Sequence, residues 1–260
     1  MVHAMAQHCD MAWTGVGIIT GASSGIGAAV AQKLSKSAKG LIIAARREDQ
    51  LQEIASQCGK HVIPVRCDVT KSDDVMRLAE YSLSEFGSVD AIVNNAGVLP
   101  MASMTRCHLD DWHHAVDVNV KGVLNGIAAV LPHMLEQGAG HIINISSTAG
   151  RRIFAGAAVY CGTKHAVRAI SEGLQLDLSE RSVKDGNTIK VTSIMPGLVK
   201  TELPSSVTHE QSRVQFQSAM DNYEHPLLPH DIAESVAFAL NTPAHVELGE
   251  IAVRPTTQNF

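Results

Sequence analysis

Short apolar segments alternate along this chain with longer segments of helical periodicity, and this alternation constrains the fold more than any other feature. The predicted strands are residues 16–20, 41–45, 61–66, 91–93, 141–145, 190–194 and 250–253. The predicted helices are residues 26–38, 48–57, 72–86, 109–136, 158–179 and 231–240. Strands that are too apolar to have a solvated face, and that alternate with helices, are typical of parallel sheets. We therefore predict an α/β protein with one doubly wound parallel sheet and helices on both faces.

The length and composition suit one domain. The chain has 260 residues, of which 45% are hydrophobic, which is enough for a single large core. Neither a linker nor an internal repeat is visible. Residues 197–229 break the alternation and contain Pro204, Pro226 and Pro229, so we predict an irregular insert there. We expect residues 1–260 to form a single domain with this insert as a loop over the site.

The charge and hydropathy patterns exclude several classes of partner. The formal net charge is −5, which leaves no basic surplus for binding nucleic acid. No apolar run approaches the 18 residues that a membrane span requires, and residues 1–11 lack the pattern of a secretory signal. We therefore predict a cytoplasmic protein without a membrane or nucleic-acid partner.

The cysteines and histidines do not indicate a disulfide framework or a metal site. Five cysteines are scattered without a C-x-x-C pair, at positions Cys9, Cys58, Cys67, Cys107 and Cys161. An odd, scattered set in a chain of this length is typical of reduced thiols. The thirteen histidines include no H-E-x-x-H or similar spacing, so we predict no metal site.

A glycine-rich run follows the first predicted strand and opens the first predicted helix. Its spacing is G-x-x-x-G-x-G, which differs from the general G-x-G-x-x-G dinucleotide fingerprint. The physical logic is the same, because glycines let the backbone approach a pyrophosphate at the positive end of a helix. We therefore predict a Rossmann-type cofactor site that includes Gly21, Ser23, Ser24, Gly25, Ile26 and Gly27; a glycine turn without a ligand is the alternative.

The end of the second predicted strand indicates which dinucleotide binds. An acidic residue about 20 positions after the glycines would bind the ribose 2′-hydroxyl of NAD. Here Arg46 stands nineteen residues after Gly27 and is followed by Arg47. Two guanidinium groups can hold a 2′-phosphate, and they oppose the dipole of a helix start unless an anion is present. We predict NADP(H) as the cofactor; a solvated helix start is the alternative.

Tyr160 and Lys164 are four residues apart and share one face of a predicted helix. An ammonium group favours the phenolate, which makes a tyrosine a usable acid or base near neutral pH. Alone this pair is weak, but Ser147 lies thirteen residues before Tyr160, and the run 94–97 lies between the glycines and the serine. Together these motifs resemble the classical short-chain dehydrogenase/reductase family, over about residues 16–253.

This resemblance implies an NADP(H)-dependent oxidoreductase that interconverts a small-molecule carbonyl and its alcohol by hydride transfer. It implies that Tyr160 is the general acid/base, that Ser147 binds the substrate oxygen, and that Lys164 lowers the tyrosine pKa and binds the ribose. Asn119 would hold a water in a proton relay to Lys164, unless it is a satisfied core asparagine. Ser146 is the competing candidate for this serine. Adjacent residues at a strand end face opposite ways, so only one of the two can face the site. The thirteen-residue spacing to Tyr160 matches the family at Ser147.

The resemblance also assigns cofactor contacts at the carboxyl edge of the sheet, where ligands of such sheets bind. Asp68 and Val69 would contact the adenine, unless Asp68 only caps or turns into the helix 72–86. The other assigned residues are Asn94, Ala96 and Gly97 after the fourth strand, Pro196, Gly197, Val199 and Thr201 after the sixth, and Tyr160 and Lys164 themselves. A plain turn is the alternative for residues 94–97.

Three narrower expectations follow from the resemblance. The segment around Tyr160 and the C-terminus are similar to NADP-dependent serine or 3-hydroxy acid dehydrogenases and to clavulanic-acid-type aldehyde reductases. The long helices 109–136 and 158–179 would pair across a two-fold axis, which implies a homodimer or homotetramer. Arg151 or Arg152 could bind a substrate carboxylate, with a solvated loop as the alternative. An NAD-linked polyol or steroid-type alcohol dehydrogenase and a non-catalytic dinucleotide-binding regulator are the alternative functions.

Overall fold

A seven-stranded sheet forms the centre of the protein, whose computed structural model describes residues 12–259. The strands are β1 (Val16–Thr20), β2 (Gly40–Ala45), β3 (Val62–Arg66), β4 (Ala91–Asn94), β5 (Ala139–Ile145), β6 (Thr188–Pro196) and β7 (Glu250–Val253). They lie in the order β3-β2-β1-β4-β5-β6-β7, and every neighbouring pair is parallel. The predicted doubly wound parallel sheet is confirmed.

Helices cover both faces of this sheet. One face packs against α1 (Gly25–Leu34), α2 (Glu48–Cys58) and α8 (Pro229–Leu240). The other packs against α3 (Ser72–Phe86), α5 (Gly122–Gln137) and α6 (Ala158–Asp185). A further helix, α4 (Leu109–Val116), continues into α5 through a π-helical turn at Asp117–Lys121. The remaining helix, α7 (Glu210–Asp221), belongs to the insert.

The sequence of the central strands explains why both faces need helices. Ile18 and Ile19 in β1 face opposite sides of the sheet and are 1% and 0% exposed. Ile42 and Ile43 in β2 repeat the arrangement. Because successive side chains alternate between the faces, a strand that is apolar at every position is stable only between two layers of helices.

A chain of buried polar groups crosses the sheet near the site. Asn94 Nδ2 in β4 donates to Asn144 Oδ1 in β5 at 2.9 Å, and Asn144 Nδ2 donates to Ser171 Oγ in α6 at 2.9 Å. Ser171 Oγ in turn donates to the Val167 carbonyl at 2.8 Å. Helix α5 packs so closely here that a Cβ on Gly126 would lie 2.0 Å from Asn94 Oδ1. The chain ties β4, β5 and α6 together.

The insert is more regular than the sequence predicts. Residues 197–229 contain a 3₁₀ turn, Leu203–Ser206, and the twelve-residue helix α7, so the prediction of an irregular segment is wrong there. The physical reason is that α7 is mostly polar and makes little core contact. Its inward face consists of Phe216 and Met220, which are four residues apart, followed by Tyr223 one turn later. That pattern is too short to stand out in the sequence.

The continuous helical stretch Leu109–Gln137 is long and apolar enough to cross a membrane, with a mean hydropathy of 1.2. Its apolar residues Val123, Val130 and Met134 are buried against the sheet. Packing in a protein core explains the composition of this helix without a bilayer.

Candidate active site

A cavity of about 820 Å³ opens at the carboxyl edge of the sheet, between the strand ends and the insert. Most of the site residues predicted from the sequence line it. They are Gly21, Ser23, Ser24, Gly25, Ile26, Arg46, Arg47, Asp68, Val69, Ala96, Gly97, Ser147, Tyr160, Lys164, Pro196, Gly197, Val199 and Thr201. A cavity of this size suits a cofactor and a small substrate together.

Three predicted residues lie behind the cavity wall instead. Gly27 packs against the start of the glycine loop, since an added Cβ would lie 2.4 Å from the Gly21 carbonyl oxygen. Asn94 belongs to the buried polar chain, and its neighbour Asn95 lines the cavity in its place. Asn119 is 1% exposed. The predicted cofactor residue Asn94 therefore does not line the cavity, because adjacent residues at a strand end point in opposite directions.

The glycine loop is shaped to receive an anion. Gly21 and Gly25 have φ angles of +65° and +55°, in the left-handed region that favours glycine. Asn95 Nδ2 donates to the carbonyls of Thr20 and Gly21 at 2.9 and 3.1 Å, which fixes the loop against the end of β4. The first turn of α1 carries no acidic residue. Its N–H groups and the helix dipole thus fit a cofactor pyrophosphate.

Arg47 connects this loop to the insert. Its Nε and Nη2 atoms donate to Ser23 Oγ at 3.2 and 3.1 Å, and Nη2 also donates to Ser24 Oγ at 2.6 Å. Its Nη1 donates to Glu202 Oε2 at 2.9 Å. Arg46 is exposed at the same rim of the cavity. Two guanidinium groups and two hydroxyl groups form a donor set that fits a phosphate.

Asp68 lines the cavity and also shapes the turn that follows β3. Its Oδ1 accepts from the Thr70 N–H at 3.1 Å and from the Thr70 hydroxyl at 2.8 Å. Its own N–H donates to Asp74 Oδ2 at 3.0 Å. The residue before α3 is Lys71, so Asp68 forms a turn and does not cap that helix.

Ser147 and Tyr160 meet inside the cavity. The Ser147 hydroxyl lies close enough to the phenol to act on the pKa of Tyr160. Its Oγ donates to the Pro196 carbonyl at 3.4 Å and accepts from the Ala149 N–H at 3.1 Å. Ser146 faces away and donates through Oγ to the Lys164 carbonyl at 3.1 Å, which fastens α6 to the end of β5. The structure thus brings Ser147 to the tyrosine and gives Ser146 a structural position.

Lys164 lies beside Tyr160 but bonds to the backbone. Its Nζ donates to the Ile145 carbonyl at 2.8 Å and is 5.8 Å from the centre of the tyrosine ring. Burial lowers the pKa of Lys164 to about 8. Burial raises the pKa of Tyr160 to about 12, and the neighbouring Ser147 hydroxyl acts in the opposite direction. The predicted lowering of the tyrosine pKa by Lys164 stays a prediction, since the ammonium bonds to the Ile145 carbonyl here and not to the phenol.

Asn119 holds the loop after β4 in place. Its Oδ1 accepts from the Val98 N–H at 2.8 Å, and its Nδ2 donates to the Val98 carbonyl at 2.9 Å and to Thr163 Oγ1 at 3.1 Å. Asn119 lies in the π-helical turn between α4 and α5, and such turns are frequent at functional sites. The side chain therefore positions Gly97 and Tyr160 indirectly, through the loop 95–98 and through α6.

The wall of the cavity near Tyr160 is apolar. Met101 packs with Tyr160 against the small buried cluster of Ala149, Ala157 and Cys161. Phe154, Phe216, Met220 and Tyr223 also line the cavity. No pattern in the sequence distinguishes these residues, or Glu202, because loop composition carries no signal for which side chains face a ligand.

The predicted carboxylate site at Arg151 or Arg152 is not part of this wall. Arg151 forms an ion pair with Glu250 in β7, and Arg168 from α6 pairs with the same carboxylate. Neither Arg151 nor Arg152 is among the described residues that line the cavity. The hypothesis fails for Arg151 because its guanidinium is held by an acid from a distant part of the sequence.

Within residues 12–259, no group of His, Cys, Asp and Glu side chains is arranged to hold a metal ion. The four described cysteines, Cys58, Cys67, Cys107 and Cys161, are free thiols. Cys9 lies outside the described residues.

Comparison with known proteins identifies the family. The profile of the short chain dehydrogenase family matches residues 16–212. An uncharacterized oxidoreductase from Staphylococcus saprophyticus is 41% identical over 244 residues, which cover 94% of this chain and 96% of that protein. This chain therefore belongs to the short-chain dehydrogenase/reductase family and is an oxidoreductase of that family.

Solved structures agree with this assignment. Serine dehydrogenase in complex with NADP⁺ superimposes with a TM-score of 0.85 at 31% identity, over 94% of this chain and 96% of its own. A short-chain dehydrogenase/reductase from Burkholderia phymatum in complex with NAD gives a TM-score of 0.82 at 30% identity, over 93% of this chain and 90% of its own. Similar structures therefore bind either dinucleotide.

Proposed function

We propose that this protein is an NADP(H)-dependent oxidoreductase that interconverts a ketone or aldehyde and the corresponding alcohol by hydride transfer. The observation that carries the proposal is that Ser147, Tyr160 and Lys164 line the same cavity as the glycine loop and the arginine pair. A bound nicotinamide would supply or accept the hydride. On this proposal, residues 12–259 form one dinucleotide-binding and catalytic domain whose substrate side the insert closes; the other residues of the predicted domain, 1–11 and 260, lie outside the described residues.

Each polar group near the reacting carbon has a separate task in this proposal. Tyr160 retains its proton at neutral pH, because burial raises its pKa, and this suits it to protonate a carbonyl oxygen. Ser147 holds that oxygen in line with the phenol. Lys164 binds the cofactor ribose and carries the charge next to the tyrosine. Both polar atoms of the Asn119 side chain are bonded to Val98 and Thr163, so its part in a proton relay would run through its main chain.

The cofactor preference rests on Arg46 and Arg47. No carboxylate occupies the end of β2, where residues 44–47 are Ala-Ala-Arg-Arg. Arg47 already binds two hydroxyl groups of the glycine loop, so the adenosine end of the cavity carries positive charge beside the position of the ribose. That arrangement favours NADP(H), with an NAD-linked polyol or steroid-type alcohol dehydrogenase as the second candidate. A non-catalytic dinucleotide-binding regulator is disfavoured because Ser147, Tyr160 and Lys164 are all present.

The apolar wall indicates a neutral substrate. The charged residues that line the cavity within the described part of the chain are Arg46, Arg47, Asp68, Lys164 and Glu202. Of these, only Lys164 adjoins Tyr160, and its ammonium is bonded to the Ile145 carbonyl. Because Lys164 is also assigned to the cofactor ribose, a substrate carboxylate would lose its hydration without gaining a cation of its own, which is costly. A carbonyl compound with an apolar substituent fits better against Met101, Phe216 and Met220.

The experiment that tests the function is NADPH oxidation with a panel of ketones and aldehydes in which each oxo acid is accompanied by its methyl ester. We expect turnover of neutral carbonyls, with kcat/KM for the ester roughly tenfold or more above that for the acid. Preference for the acids would contradict the neutral substrate, and failure to oxidise NADPH with any carbonyl would contradict the proposed activity.

A matched pair of variants on α7 tests whether the substrate binds against the apolar wall of the cavity. Phe216→Ala should raise KM for a bulky ester roughly three- to tenfold, because contact with an apolar ring is lost. Val214→Ala is the control, because Val214 lies on the same helix, is 57% exposed and does not line the cavity.

We infer that the protein forms a homodimer or homotetramer in the cytoplasm. Leu109 and Leu124 on α4 and α5, and Leu176 and Val183 on α6, expose large apolar side chains. Static light scattering should give two or four chains per particle, and Leu124→Glu with Leu176→Glu should yield smaller particles, since charge is disfavoured in an interface core. Val214→Glu on α7 is the control. A wild-type monomer at micromolar concentration would contradict the assembly.

A further inference from the structure

Glu202 occupies the one side of the Arg47 guanidinium that the glycine loop leaves available. Arg47 Nη1 donates to Glu202 Oε2 at 2.9 Å, while the other nitrogens donate to Ser23 and Ser24. The Arg47 guanidinium, with a smaller contribution from the nearby Ser24 hydroxyl, lowers the pKa of Glu202. The carboxylate therefore accepts from a guanidinium that a phosphate could also use.

The ion pair joins two parts of the chain that are distant in sequence. Arg47 directly precedes α2, whereas Glu202 directly precedes the 3₁₀ turn Leu203–Ser206 at the start of the insert. Thr201 packs against the glycine loop, since a Cβ on Gly25 would lie 3.4 Å from its side chain. Glu202 is thus held over the rim of the cavity by contacts of its own segment.

We propose that Glu202 competes with the 2′-phosphate of the cofactor for Arg47, and that it thereby limits how tightly the protein binds NADP(H). The inference rests on the proposed preference for NADP(H). Binding of the 2′-phosphate transfers the Arg47 guanidinium from the carboxylate to the phosphate. The ribose 2′-hydroxyl of NAD(H) carries no charge and leaves the pair intact.

The ion pair is weak enough to be exchanged. Both side chains are about half exposed, at 48% for Arg47 and 56% for Glu202. Solvent screens such pairs, and their measured contribution to stability is small. The expected effect of removing Glu202 is therefore a roughly two- to fivefold tightening of NADP⁺ binding, the range typical of an exposed ion pair.

The test is titration calorimetry with NADP⁺, NAD⁺ and adenosine 2′,5′-bisphosphate, on wild type, Glu202→Gln, Arg47→Gln and the double variant. Glu202→Gln should lower Kd for NADP⁺ and for the bisphosphate, and leave Kd for NAD⁺ unchanged. In the Arg47→Gln background, Glu202→Gln should have no effect, because the competition acts through Arg47. The difference should shrink as salt is added.

Glu234→Gln is the matched control. Glu234 pairs with Lys33 and is 60% exposed, so its removal changes net charge equally and should leave every Kd unchanged. Equal tightening of NADP⁺ and NAD⁺ by Glu202→Gln would overturn the inference, as would persistence of the effect without Arg47 or an unchanged Kd for NADP⁺.

The outcome for wild type separates this inference from the proposed function. If wild type prefers NADP⁺ and Glu202→Gln leaves Kd for NADP⁺ unchanged, only the role of Glu202 is overturned. Equal affinities for NAD⁺ and NADP⁺ in both wild type and Glu202→Gln would overturn the cofactor assignment and the role of Glu202 with it.

Discussion

Tyr160→Phe is expected to lower kcat by about 100- to 10,000-fold, the range for loss of one general acid/base. The substitution removes the hydroxyl group that would protonate the carbonyl oxygen and leaves the ring that packs with Met101 and Cys161. The cofactor should therefore bind nearly as before. The measurements are kcat from NADPH oxidation at saturating substrate and Kd for NADP⁺ from calorimetry.

Tyr223→Phe is the control for this prediction. Tyr223 is the other tyrosine at the cavity, and its hydroxyl is hydrogen-bonded to Thr257 Oγ1 at 3.1 Å. Its substitution should leave kcat within a fewfold of wild type. A Tyr160→Phe enzyme with near-wild-type kcat would rule out the assigned acid/base, and a large loss of cofactor affinity would show that the hydroxyl acts in binding.

The second large effect is expected from the arginine pair. Arg46→Ala and Arg47→Ala together with Ala45→Asp should lower the ratio of kcat/KM for NADPH over NADH by roughly ten- to hundredfold. Charge-assisted hydrogen bonds to a phosphate contribute about 1.5–3 kcal/mol each, and solvent reduces their net effect. Ala45 is buried but lines the cavity, so a carboxylate at this position can accept from a ribose 2′-hydroxyl and repel a phosphate.

The ratio must be measured at fixed ionic strength, because salt screens these contacts. Arg66→Ala is the control, since Arg66 ends the neighbouring strand β3, is exposed and does not line the cavity. An unchanged ratio in the triple variant, or a wild type that prefers NADH, would show that the two arginines do not read the 2′-phosphate.

Local patterns in the sequence predict the sheet and the centre of the site well. The central strands are visible because they are mostly apolar on both faces. The spacing of Tyr160 and Lys164 places both side chains at the cavity, since residues four apart share a helix face. Where two adjacent polar residues end a strand, spacing from a third residue can decide between them, as it does for Ser147 over Ser146. No such spacing distinguishes Asn95 from Asn94.

Contacts between distant parts of the chain are what the sequence does not reveal. The ion pair between Arg151 and Glu250 joins residues that are far apart in sequence. Because of it, Arg151 is paired within the protein, although the local sequence favours it as a partner for a substrate carboxylate. The pair of Arg47 with Glu202 is hidden in the same way. Helix α7 escapes prediction because its inward face is so short that its polar residues dominate the pattern.

The buried hydrogen bonds among Asn94, Asn144 and Ser171 fix the register of the strands that lead to the site. In the observed register, Asn94 lies directly opposite Asn144. A shift of β4 by one residue would turn these amides to opposite faces and leave them unpaired in the core, at about 1–3 kcal/mol for each group. β4 and β5, which lead to Gly97 and Ser147 at the cavity, are thus held in register by buried groups away from the ligand site. A wrong register would destabilise the core itself.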